Sequence, residues 1–225
     1  MSQSTAGAQE AGDDEEVEFH GPDVRPGYPD AFHLSYTLRK DAVSPDGTYG
    51  VLFPDRTHMD DPANFIVAVK ESRLVGMIDF EPEHIYFAGS NHGGLSVCWA
   101  PNSSTVLVVS EGKWSPRELM LIELKDGRIN RQTPLLGLFE KAIVSAAPKA
   151  FRQGTSMVEM DLNDISWKTE KLLQIKGELT TNPKAFPNEN SWSGTIAASW
   201  DTALCKFTQV KVKQTSFTKA ETEEE

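Results

Sequence analysis

Apolar residues in this chain come in short runs, some continuous and some alternating with polar residues, and clusters of Gly, Pro, Asn and Asp separate the runs. A period of two is the spacing of a strand with one buried face. The runs predict strands over 32–38, 49–53, 65–70, 74–80, 95–99, 105–110 and 119–124. After Gly154 the pattern returns over 157–162, 171–181, 191–201 and 204–214. Leu173, Ile175 and Leu179 alternate there with Gln174, Lys176 and Glu178. The last two runs join through Asp201-Thr202-Ala203 and predict an antiparallel meander, with Trp192, Ile196 and Trp200 as anchors. Asp46-Gly47 and Asp126-Gly127 mark tight hairpins, because glycine adopts positive φ without a Cβ clash.

One segment changes period. Thr133-Pro134 reads as an N-cap followed by proline at the first helical position, and Leu135, Leu138, Phe139, Ala142, Ile143 and Ala146 then form one apolar face. This predicts a single helix near 134–150, ended or bent by Pro148. The expected fold class is therefore mainly β (α+β): antiparallel sheets, sandwich-like or partial-propeller-like, with that helix. The expected organisation is an acidic tail and Pro-rich linker over 1–30, one β-rich domain over 31–218, and a second acidic tail over 219–225.

Two segments fifty-six positions apart echo each other: Val43-Ser44-Pro45-Asp46-Gly47-Thr48-Tyr49 and Trp99-Ala100-Pro101-Asn102-Ser103-Ser104-Thr105. Each resembles the inner-strand hairpin of a β-propeller blade. That resemblance implies blade-like hairpins but not a whole propeller, which needs at least ~4 blades of ~40–45 residues each. The fifty-six-residue spacing, the helix and the final meander all depart from a blade series. The run Asn91-His92-Gly93-Gly94-Leu95-Ser96-Val97-Cys98-Trp99, with Gly112-Lys113-Trp114-Ser115-Pro116, is also similar to a group of uncharacterised bacterial β-rich proteins, a resemblance that implies no activity.

The 225 residues are 39% hydrophobic and carry a formal charge of −11, yet that charge is not spread through the domain. Residues 1–23 contain seven acidic residues and no Lys or Arg, and residues 220–225 contain four more, which leaves the intervening chain formally neutral. Such a body lacks the clustered cations that phosphate neutralisation requires, so nucleic acid is excluded as a partner. Lys206, Lys211, Lys213 and Lys219 read as the outer face of an edge strand. No apolar run approaches the ~20 residues of a membrane span, and no basic-then-apolar leader opens the chain. The expected location is cytoplasmic as written, or exported if a leader was removed. In a cytosol, Cys98 and Cys205 would be free thiols.

Motifs for phosphate cradles, nucleophile elbows and zinc ligands are absent, so no metal, cofactor or catalytic residue is assigned. Asp79, Glu81 and Glu83 alternate in an extended segment and read as a solvated face. Two candidate groupings remain. Trp114, in the polar turn Glu111-Gly112-Lys113-Trp114-Ser115-Pro116, reads as an exposed binding aromatic. His58, Asp60, Asp61, Asn91 and His92 lie in two loops that could share one end of a sheet and there do acid–base work or hold a divalent ion. The leading expectation is a non-catalytic binding or interaction module for another protein or a polymer. The alternatives are a hydrolase or metal-dependent enzyme using the His/Asp loops, and a structural subunit of an assembly.

Overall fold

The computed structural model describes residues 36–54, 63–88, 92–148, 151, 158–181 and 191–218. The chain is mainly β. Its described residues form three antiparallel four-stranded sheets, each a meander in sequence order, and no closed barrel. The first sheet is β1 (Tyr36–Val43), β2 (Tyr49–Pro54), β3 (Phe65–Ala68) and β4 (Arg73–Met77). The second is β5 (Gly94–Trp99), β6 (Thr105–Glu111), β7 (Pro116–Lys125) and β8 (Arg128–Pro134), followed by the helix α1 (Leu136–Ala146). The third is β9 (Val158–Thr169), β10 (Leu172–Thr181), β11 (Ser191–Asp201) and β12 (Lys206–Thr218).

The sheets stack face to face, and the middle one is buried on both sides. Alternation along β6 sends Val106 and Val108 toward the first sheet, where they meet Val51, Phe53 and Ile66. It sends Leu107 and Val109 toward the third sheet and α1, where they meet Phe139, Ile175, Leu179 and Trp192. β7 divides in the same way, with Met120 and Ile122 on one side and Leu119 and Leu121 on the other. First strands stand beside first strands, since β1 neighbours β5 and β5 neighbours β9, so the stack is aligned. Each fully buried Val, Leu or Ile contributes about 1.5–3 kcal/mol from burial.

The two echoed hairpins meet at one end of this stack and close alike. The Ser44 N–H donates to Tyr49 O and the Gly47 N–H to Ser44 O, each at 2.8 Å. The Ala100 and Ser103 N–H groups make the matching bonds to Thr105 O and Ala100 O at 2.8 and 2.9 Å. The Asp46 N–H reaches Ser103 Oγ at 3.2 Å, the Trp99 indole N–H donates to Ala42 O at 3.0 Å, and the Trp99 ring stacks on Tyr49. Trp99 thus ties two sheets together while packing, partly buried, against the core between them. At the far edge Gln132 does similar work, accepting from the Asp79 N–H and donating to Met77 O, both at 3.0 Å.

Several elements differ from the sequence pattern. Thr133 and Pro134 do not cap a helix. They end β8, opposite Leu121 and Met120. β8 lies at a sheet edge, where the N–H that proline lacks has no ladder partner to lose, and its polar sequence hides it from an apolar-alternation reading. The helix instead opens after Leu135, with no side-chain cap, and stops at Ala146 ahead of Pro148. Its buried stripe is Leu135, Phe139, Ile143 and Ala147, while Leu138 is 42% exposed. β1 continues past Leu38 to Val43, and residues 32–35 lie outside those described. β9 continues past Leu162 to Thr169 because Asp164, Ile165, Ser166, Trp167 and Thr169 pair with β10, Ile165 and Trp167 also packing against the core. A short 3-10 turn at Pro82–His84 breaks the alternation expected of Asp79, Glu81 and Glu83. β12 is the edge strand that the lysines suggested, with Lys206, Lys211 and Lys213 exposed. Residues 1–30 and 219–225 lie outside the described residues.

Two outcomes follow from this packing. Phe139 is fully buried, and its ring centroid lies 5.2 Å from that of Phe207 on β12, so it holds α1 to the third sheet. Phe139→Ala should cost about 3–5 kcal/mol in urea unfolding; a loss below about 1 kcal/mol would contradict this packing. The Asp46 carboxyl gives a pH signature. Partial burial alone would raise it, but the Thr48 N–H and the hydroxyls of Ser44, Thr48 and Ser103 outweigh burial and hold it below its ordinary value. A depressed carboxyl stabilises the fold above its unfolded pKa and loses that contribution as pH falls through the folded value. The advantage of wild type over Asp46→Asn should therefore be complete above about pH 5 and shrink as the pH falls below about 3.9. Urea midpoints measured across that range would check it.

Candidate functional site

The turn between β6 and β7 carries Trp114 and is pinned in place. The Gly112 N–H donates to Ser115 O at 3.0 Å, and a Cβ at residue 112 would stand only 2.7 Å from that same oxygen, so the close approach requires glycine. The Met160 N–H of β9 reaches across to both Trp114 O and Ser115 Oγ, each at 3.0 Å. The Ser115 hydroxyl donates to Trp114 O at 2.8 Å. The backbone beneath the indole is therefore fixed from two sides while the ring itself is 52% exposed. Trp192 and Trp200, at 1% and 2%, fill the core as anchors. The Lys113 ammonium lies 4.6 Å from the centre of the Trp114 ring.

Trp114 stands at a cavity of about 420 Å³ between the second and third sheets. Glu111, Glu159, Asp161 and Glu178 line it, along with Lys113. β9 is the edge of its sheet, and a register shift near Asp161 widens it there. Opposite that irregularity, a Cβ on Gly177 would lie 2.1 Å from Asp161 O, so only glycine fits. A second cavity of about 230 Å³ shares Ser115, Pro116 and Met160 with the first and continues toward α1, where Leu136, Ile143, Val144, Phe151 and Leu179 line it together with one carboxylate, Glu140. Val144 is 49% exposed at this end. The two cavities form one groove, acidic and aromatic at one end and apolar at the other.

Of the residues singled out from sequence, Trp114 lies at this groove. His92 is exposed, with φ of +59°, in the turn that leads into β5. Its backbone sits in the left-handed region that turns use. It lies two residues before Gly94, which pairs with the groove residue Glu111. His58, Asp60, Asp61 and Asn91 lie outside the described residues. Among the described residues no three His, Cys, Asp or Glu side chains converge as a metal site.

Three potentially reactive groups approach one another elsewhere. His84 Nδ1 is 3.8 Å from Glu118 Oε2, but the buried Ser110 hydroxyl donates to the backbone carbonyl of His84 and not to its imidazole. That hydroxyl has no base positioned to activate it. Cys98 and Cys205 are both free. Burial, and after it the Asp164 carboxylate, pushes the Cys98 thiol above its ordinary value, which keeps it protonated; a hydrogen bond at Trp167 opposes this weakly. The Cys98 thiol donates to Ile165 O at 3.5 Å, and Cys98 O accepts from the Trp167 indole at 2.9 Å, so the residue joins β5 to β9. No described helix is long and apolar enough to cross a membrane.

The chain matches no protein-family model, and comparison with curated proteins finds no relative. The groove is therefore read from its own residues. Sequence reasoning missed Glu159, Asp161 and Glu178, because their proximity to Trp114 depends on β9 docking against the β6–β7 turn. The available signal was the alternation of Glu159 and Asp161 in a strand, with Glu178 in the next. Gly112→Ala should displace the 112–115 turn and move the fluorescence of Trp114 while lowering stability by about 1–3 kcal/mol. An unchanged emission spectrum and urea midpoint would show that the turn is not pinned as described.

Proposed function

We propose that this protein is a non-catalytic binding module and that the groove at Trp114 is its recognition site for another protein or a polymer. The observation that carries the reading is a large, half-exposed indole on a backbone pinned by Met160, at the mouth of a cavity. A fixed backbone lowers the ordering cost of association, and an aromatic anchor beside an apolar pocket supplies contact area. The acidic lining disfavours phosphate backbones, which argues against nucleic acid as the occupant.

Panning a random-peptide display library on the intact chain tests the assignment. Wild type should enrich a recurring sequence pattern that Trp114→Ala does not retain, while that variant, altered only at an exposed side chain, keeps its stability within about 1 kcal/mol. Enrichment of the same pattern by both proteins, or of none by either, would overturn it.

A further inference from the structure

We infer that the groove takes an extended cationic peptide segment, with basic side chains at alternate positions followed by an apolar one; the inference rests on the binding-module reading above. The Trp114 ring already holds an ammonium, that of Lys113 at 4.6 Å, which is the geometry a ligand cation would use in its place. The carboxylates are arranged along a line. Glu159 and Asp161 are two residues apart on β9 and so lie roughly 6.6 Å apart along the strand. Glu178 faces Asp161 directly across the β9–β10 ladder.

Like charges placed opposite each other destabilise a sheet, and among the described residues no cation pairs with Glu159, Asp161 or Glu178. The nearby Lys176 is taken by Asp164, and Lys113 lies on the indole. Spread along β9 and across to β10, these carboxylates suit side chains spaced along an extended chain. In such a chain, alternate side chains repeat at the same spacing as Glu159 and Asp161. The apolar end of the groove, at Ile143 and Val144, then receives a Leu- or Phe-type side chain.

The test uses the full chain labelled with fluorotryptophan, with Trp114→Phe assigning the resonance. Three acetylated peptides serve as probes: Lys-Ser-Lys-Ser-Leu-Phe-amide, and the same sequence with Gln or Glu in place of Lys. The basic peptide should shift the Trp114 signal alone among the five tryptophans. Its affinity should fall by about tenfold or more between ~0.05 and ~0.5 M salt. The double variant Glu159→Gln/Glu178→Gln, which also removes the like-charge opposition, should bind at least about fivefold more weakly while unfolding no earlier in urea. Equal shifts by the Gln peptide would overturn the cationic assignment and leave the groove as a binding site. Binding of the basic peptide equally well to wild type and Trp114→Ala would remove the groove itself.

Discussion

The structure depends on a middle sheet whose central strands, β6 and β7, are covered on both faces. An antiparallel sheet in a two-layer protein ordinarily alternates apolar and polar residues, whereas Val106 to Val109 and Leu119 to Ile122 are apolar at every position. Such a sheet is stable only with a partner on each side, and the first and third sheets supply those partners. The stack then dictates much else. It aligns β1, β5 and β9, leaves β9 and β12 as the edges of the third sheet, and places the turns that leave the middle sheet against the strands of its neighbours.

Between the layers, side-chain bonds to backbone carbonyls set the registration that hydrophobic burial alone leaves loose. Trp99 to Ala42, Arg39 to Leu95 and Trp167 to Cys98 each bridge two sheets near their first strands. Apolar contact is non-directional, so a stack of smooth apolar faces could slide; a donor held at 2.8–3.0 Å from one carbonyl cannot do so without leaving a partly buried polar group unpaired. Aromatic residues serve well here because a large ring packs between layers while its N–H reaches the next one.

The strands were legible in the sequence where one face is apolar and the other polar, as in 171–181, and where continuous apolar runs sat between turn signals, as in 105–110 and 119–124. β8 and the second half of β9 were not, because their few apolar residues, Ile129, Ile165 and Trp167, stand among polar ones and the strands are completed by pairing with β7 and β10. The helix was legible as a helix, but its start was displaced: Thr133-Pro134 satisfies a capping pattern locally, and tertiary pairing with β7 prevailed over it. Trp114 was legible from its polar surroundings alone. Its acidic neighbours were not, since Glu178 is sixty-four positions away and becomes a neighbour only through the β10–β9 ladder and the docking of β9 on the turn.

Charge and architecture bear on the groove together. The formal −11 resides in the sequence ends, and the groove adds a local excess of carboxylates inside a body that is otherwise balanced. Both fields have the same sign, so under the reading proposed above a basic partner would be drawn toward the molecule by its ends and toward one place on it by the groove. The acidic ends are also poor competitors for that place, because a Glu-rich segment would meet Glu111, Asp161 and Glu178 as like charges. On the reading proposed above, the acidic groove, with Trp114 and the apolar end at Val144, is what selects among cationic segments.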